Sequence, residues 1–131
     1  MMLEKGAFLD TCALLYLVSG SDKLSAHAKT LIDNAGVVFV SPITAWEISL
    51  KALRGKLSLP MEPEEWFWNS IEHHNVRLYP LEPKILMLAN RLPWHHNDPA
   101  DRFIIASAKE TKTILITTDK KFRDYDVEIV Q

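Results

Sequence analysis

The chain has 131 residues, 47% of them hydrophobic and 24% charged, with a formal net charge of -2. That length and apolar content predict one domain, residues 1–131, with a packed core. A single cysteine excludes an internal disulfide framework and any paired-cysteine zinc site, and the slight negative charge argues against a protein whose main work is passive neutralisation of phosphates. The longest charge-free runs, Thr11 to Ser21 and Asn34 to Trp46, are shorter than the roughly 20 residues of a membrane span. Glu4 near the start, Asp10 abutting the first run and the lack of a clear small-residue cleavage site speak against a secretory leader. A reduced, cytoplasmic compartment is therefore expected.

Short apolar runs alternate with helical patterns along the chain, with no internal repeat and no linker. Ala7-Phe8-Leu9 is the first strand candidate and runs into Asp10. Ser25 to Ala35 places Ala28, Leu31, Ile32 and Ala35 at helical offsets. A second strand, Val37 to Val40, leads to Ser41 as an N-cap and Pro42 as first residue of a helix reaching Leu53, with Gly55 beyond its end. Pro63 to His73 is a Trp-rich helix, Val76 to Leu81 a third strand, Glu82 to Leu92 and Pro99 to Glu110 two further helices. Ile114 to Thr117 and Val127 to Val130 complete five strands. Strands lacking long alternation, separated by helices, predict an α/β fold: a parallel sheet covered on both faces.

In such a sheet, ligands bind beyond the carboxyl ends of the strands, where strand order reverses. Asp10 follows the first strand and Asp119 follows the fourth. In the order 3-2-1-4-5 these strands are neighbours, and the two acids share one crevice. Each is equally open to a plainer reading, as a turn former or helix N-cap. Asp98 before Pro99 reads as an N-cap, with Asp101 at the third helical position, from which a side chain can reach back to the cap. The apolar stretch from Phe103 to Ala108 would lay that helix across the sheet and aim Asp101 at the same edge. Glu47 lies near the apolar face of its helix rather than opposite it, and is either solvated or turned inward. Carboxylates converging at 4–6 Å disfavour joint ionisation, and a hard divalent cation reverses the sign of that cost. Four acids on one sheet edge therefore read as a metal site.

These residues carry a family resemblance over nearly the whole chain. Phe8-Leu9-Asp10-Thr11, Ser41-Pro42-Ile43-Thr44-Ala45-Trp46-Glu47-Ile48, Lys51, Gly55-Lys56-Leu57, Leu59-Pro60, Leu92-Pro93-Trp94-His95-His96, Asp98-Pro99-Ala100-Asp101-Arg102 and Thr117-Thr118-Asp119 form an ordered set. The chain resembles the PIN-domain ribonucleases, specifically the VapC-type toxins of toxin–antitoxin pairs. The resemblance implies a three-layer α/β/α sandwich around a parallel sheet and cleavage of RNA with Mg²⁺ or Mn²⁺, one ion or two. The products implied carry a 5′-phosphate and a 3′-hydroxyl, and the implied targets are transfer RNA first, then messenger or ribosomal RNA. It also implies a homodimer and a cognate antitoxin in the groove. The family's acids fall on Asp10, Glu47, Asp101 and Asp119, with Asp98 a near neighbour. Asp10, Asp101 and Asp119 are the implied metal ligands, Glu47 completes the shell or positions the nucleophile, and Thr117 supports a carboxylate or a water. The departures, Cys12 after Thr11 and the aromatic run Trp66-Phe67-Trp68, do not touch the acids.

Two basic clusters lie near the acids: Lys51, Arg54 and Lys56, and Lys120, Lys121 and Arg123. Lys51, Arg54, Lys120 and Lys121 are the candidates for gripping RNA phosphates; ordinary solvated charge is the plainer alternative. Arg102 is expected to pair with an acid. Of His95 and His96, one is expected to line the groove mouth and the other to be solvated. Cys12 reads as a small buried hydrophobe, and the Trp66-Trp68 run either as helix packing or as a partner surface. Two other classes compete. A phospho-acceptor domain lacks support, because Cys12 replaces the second Asp of the dehalogenase pattern and Leu78-Tyr79-Pro80-Leu81 offers no receiver aspartate. A non-catalytic interaction module on the same fold would not need all four acids.

Overall fold

The computed structural model describes residues 5–125 and 129–131. Strand β1 (Ala7–Leu9) is followed by helices α1 (Thr11–Ser19) and α2 (Ala26–Asn34). Next come β2 (Val38–Val40), α3 (Pro42–Leu53), α4 (Pro63–His73) and β3 (Arg77–Leu78), then α5 (Pro83–Arg91), α6 (Pro99–Thr111), β4 (Ile114–Ile116) and β5 (Ile129–Val130). A 3₁₀ turn, Lys120–Asp124, joins the last two strands. The five strands form one parallel sheet in the order β3-β2-β1-β4-β5. The expected order and α/β architecture are thus observed.

Side chains alternate between two cores, one on each face of the sheet. Ala7, Leu9, Val38, Val40, Ile114 and Ile116 face helices α1 to α4, where Leu14, Ile48, Trp66, Phe67 and Ile71 are buried. Phe8 and Leu115 face α5 and α6 and pack with Ile85, Ala89, Ile104 and Ile105. The result is three layers, helices–sheet–helices. Within the aromatic run, Trp66 and Phe67 belong to the first core, while Trp68 is half exposed, so packing accounts for two of the three residues.

Four helices, α3 to α6, begin with proline, where the missing N–H removes a donor that has no intrahelical partner. Helix α1 is absent from the sequence reading, because TCALLYLVS is apolar on every side and shows no amphipathic period. Its ends are nevertheless conventional: Asp10 caps it, and Gly20 closes it with φ 69. The third strand is shorter than expected. Pro80 has no N–H for the ladder, whose last bond is Tyr79 N–H to the Val40 carbonyl at 2.9 Å. Of the predicted last strand, Val127 and Glu128 lie outside the described residues, as does Glu4. Among the described residues, no helix is long and apolar enough to cross a membrane.

Candidate metal and catalytic centre

The register sets Leu9 beside both Val40 and Ile116, so the residues that follow, Asp10, Ser41 and Thr117, emerge side by side at the carboxyl edge of the sheet. Asp10 is 4% exposed. Its Oδ1 accepts the Ala13 N–H at 2.8 Å as the cap of α1, and its Oδ2 accepts the Thr117 hydroxyl at 2.5 Å. The capping reading thus holds for Oδ1, while Oδ2 is tied to the end of the strand that leads to Asp119. Burial pushes the Asp10 carboxyl up to about 6, and the charges of Asp101 and Asp119 add to this; the bonds from Thr117 and Ala13 oppose it.

Thr117 ties two acids together: besides donating to Asp10, its Oγ1 accepts the Asp119 N–H at 3.0 Å. Asp119 in turn caps the 3₁₀ turn, with Oδ1 accepting the Lys121 N–H at 2.9 Å. Asp98 caps α6 through the Asp101 N–H at 3.2 Å. Asp101 does not reach back to the cap. Its Oδ2 pairs instead with His96 Nε2 at 2.5 Å, while burial, with the nearby Asp98 and Asp119 charges, raises its pKa against the lowering effect of that bond. Glu47 is half-buried, as the inward reading required. The Thr11 hydroxyl donates to its Oε1 at 2.5 Å, and Thr11 is itself linked to Thr44 at 3.0 Å. Burial raises the Glu47 pKa, opposed by Thr11, and Asp101 and Asp98 add to the rise.

Asp101 is the hub of two overlapping groups. Ligand atoms of His96, Asp101 and Asp119 lie within 4.8 Å of one another, and so do those of Glu47, Asp98 and Asp101. Opposite ligands of an octahedral Mg²⁺ stand about 4 Å apart, so small side-chain rotations close the difference. The donors are carboxylate oxygens with one imidazole, and three of the acids sit above their ordinary pKa because of burial and one another's charge. This chemistry fits a hard divalent cation such as Mg²⁺ or Mn²⁺.

One neighbour, Arg102, differs from the sequence reading. Among the described residues, it pairs with no acid. It is 2% exposed, and its Nη1 donates to the carbonyls of Pro93 (2.9 Å) and His96 (3.1 Å) and to the Tyr125 hydroxyl (3.3 Å). Its Nη2 donates to the carbonyls of Ala89 (2.6 Å) and Leu92 (2.9 Å), and Trp94 covers its face at 3.5 Å. Carbonyl dipoles satisfy the buried guanidinium, which pins the 92–97 loop against α6. That loop carries His96, whose N–H donates to the Tyr125 hydroxyl at 2.8 Å. His95 is exposed and stacks edge-on to Tyr125. The sequence reading missed Thr11 and the Asp101 contact of His96; the signals available were adjacency to Asp10 and a five-residue offset from Asp101.

Of the basic residues, Lys51, Arg54 and Lys56 line a cavity with Glu47 and Asp98, while Lys120 and Lys121 are exposed on the turn beside Asp119. Cys12 is partly buried, and burial together with the Asp10 charge raises its pKa, against thiolate formation.

Comparison with known proteins bears on the fold and the family. The PIN domain family model matches residues 7–128. Ribonuclease VapC22 of Mycobacterium tuberculosis is 29% identical over 118 residues, 89% of either chain. Among solved structures, VapBC2 from Rickettsia felis bound to a DNA fragment from their promoter matches with a TM-score of 0.69 at 14% identity, covering 95% of this chain and 97% of that one. A toxin–antitoxin complex from Klebsiella pneumoniae matches with a TM-score of 0.68 at 21% identity, covering 95% and 96%. At those identities the structures speak for the fold, and the family model extends from β1 nearly to the last strand: this chain belongs to the PIN-domain family.

Proposed function

We propose that the chain is a divalent-metal-dependent endoribonuclease, the toxin of a toxin–antitoxin pair, working in the cytoplasm as a single-domain homodimer held in check by an antitoxin. Transfer RNA is the substrate expected from the family resemblance. The observation that carries the reading is Asp101 gathering Asp119 and His96 on one side and Glu47 and Asp98 on the other. Asp10 is buried outside those two groups but near enough to feel the charges of Asp101 and Asp119, and the carboxyls of Asp10, Glu47 and Asp101 are pushed toward protonation.

Asp10, Asp101 and Asp119 hold the cation, with Glu47 or Asp98 completing the shell. A bound Mg²⁺ or Mn²⁺ lowers the pKa of a water and offsets the charge on the phosphate under attack. Thr117 fixes Asp10 and Asp119 relative to each other before substrate arrives. Glu47, anchored at Oε1 by Thr11, keeps a second oxygen to orient the attacking water. In-line attack on phosphorus breaks the bond to the 3′-oxygen, which leaves with a proton and yields a 5′-phosphate and a 3′-hydroxyl. Lys51, Arg54, Lys120 and Lys121 grip flanking phosphates.

The test is cleavage of total RNA with sequencing of the new ends. Activity should vanish with EDTA, return with Mn²⁺, and be absent from an Asp10→Asn, Asp119→Asn double variant. Identical traces from wild type and double variant would leave only an inert interaction module.

A further inference from the structure

A groove next to the acids has a composition that the phosphate chemistry does not need. Between α3 and α6 lies a cavity of about 510 Å³, within the range of small-molecule sites. Glu47 and Asp98 line it and belong to the acid cluster itself, so the cavity adjoins the proposed cleavage centre. Its lining includes Trp46, Leu50 and Phe103 together with the cations Lys51, Arg54 and Lys56. Trp46 is 58% exposed. The other tryptophans are engaged: Trp66 is buried, Trp68 stacks edge-on to Phe67, and Trp94 covers Arg102. Among the described residues, no ring or cation stacks on Trp46.

An aromatic plane beside a cation-binding cluster, bordered by fixed positive charge, has the polarity of a nucleotide: base on the ring, backbone along the bases, scissile phosphate at the acids. We infer that this groove is a subsite for one unpaired nucleotide flanking the cleaved bond, its base stacked on Trp46 and its phosphate held by Arg54 and Lys56. The inference rests on the ribonuclease reading and narrows it to RNA single-stranded at the cut, because a base inside a duplex is not available to a side-chain plane. A purely apolar occupant would gain nothing from the three lining cations.

The experiment uses a single-stranded oligoribonucleotide copied from the site mapped on total RNA, and a series in which each base near the cut is replaced by an abasic ribose. Trp46→Ala should raise KM on the order of tenfold, the effect of losing one base–aromatic stack, with kcat held within about twofold. Trp46→Phe should restore most of the loss, and unchanged melting of both variants would show that the exposed ring is not a structural prop. One abasic position should cost the wild type a similar factor and cost Trp46→Ala almost nothing, since the two changes remove the same contact. A KM unaltered by Trp46→Ala, or an abasic penalty that persists in it, overturns the subsite. Unaltered KM with lost self-association would assign the groove to a second copy, and unaltered KM with lost inhibition by the antitoxin would assign it to a protein segment; both also overturn it. A wild-type chain that cleaves no RNA in Mn²⁺ fails the ribonuclease reading itself.

Discussion

Asp10→Asn should separate stability from activity in opposite directions. In the folded chain the Asp10 carboxyl titrates near 6, against 3.8 for an unperturbed group. At pH 8 without metal, holding that buried charge costs the fold about 3 kcal/mol. Asparagine removes the charge and keeps an oxygen for the Ala13 N–H. It presents N–H, not an acceptor, to the Thr117 hydroxyl, whose own O–H then loses its partner, a hydrogen bond worth about 1 kcal/mol. The net stabilisation is about 1–2 kcal/mol, or roughly 4–7 °C in melting temperature for a chain of this size. The pH dependence has a definite sign. A carboxyl raised on folding binds its proton more tightly in the native state, so its stabilising effect is complete below about pH 3.8 and is lost as pH rises through about 6. The wild type, in EDTA, should lose stability relative to Asp10→Asn across that window and run parallel to it above. Saturating Mn²⁺ should raise the wild type by about 3 kcal/mol at a hundredfold excess over Kd, and the variant, binding at least tenfold more weakly, by no more than about 1.4 kcal/mol. Thermal melts across pH, with EDTA or Mn²⁺, test this beside RNA cleavage. An Asn variant that melts below the wild type in EDTA at pH 8, or that still cuts RNA, refutes the reasoning.

Three other perturbations probe separate parts of the centre. Arg102→Met strands the carbonyls of Ala89, Leu92, Pro93 and His96, and urea unfolding should show a loss of roughly 3–5 kcal/mol; a change below 1 kcal/mol would mean water replaces the guanidinium. Thr117→Val removes a donor to Asp10 and an acceptor for Asp119, and should weaken Mn²⁺ binding roughly 10- to 100-fold, with Thr117→Ser restoring it; calorimetric titration reads the difference. Replacing Lys120 and Lys121 with Ala should raise KM, leave kcat alone and lower the salt dependence of RNA binding by about 0.7 per lost phosphate contact. Equal salt slopes would remove them from the RNA path.

The strand order and the acid edge were legible in the sequence for a physical reason. Buried parallel strands leave short apolar runs, and the residue that ends the first, Asp10, is by geometry at the carboxyl edge, with Asp119 a short step beyond Thr117 at the end of the neighbouring strand. Helices α3 and α4 were legible to the residue because proline marks their first positions and Gly55 a stop. Helix α1 was not, since a helix whose surroundings are apolar writes no period into its sequence. Arg102 was misread through sequence adjacency to Asp101. Neighbours on a helix point about 100° apart, so Asp101 faces His96 and the sheet edge while Arg102 enters the loop carbonyls. The histidine pair was expected to split, one ring at the groove and one solvated, but which was which was not legible: His96 pairs with Asp101, and exposed His95 packs edge-on to Tyr125. Such choices depend on the path of the 92–97 loop, which local propensity does not encode.

Titration of Mn²⁺ into the metal-free chain tests the central claim most directly. Wild type and an Asp33→Asn control, altered at an exposed residue of α2, should bind alike, while Asp10→Asn, Asp101→Asn and Asp119→Asn should each lose at least tenfold in affinity. Equal binding by all five proteins would contradict a cation pocket assembled from these three aspartates.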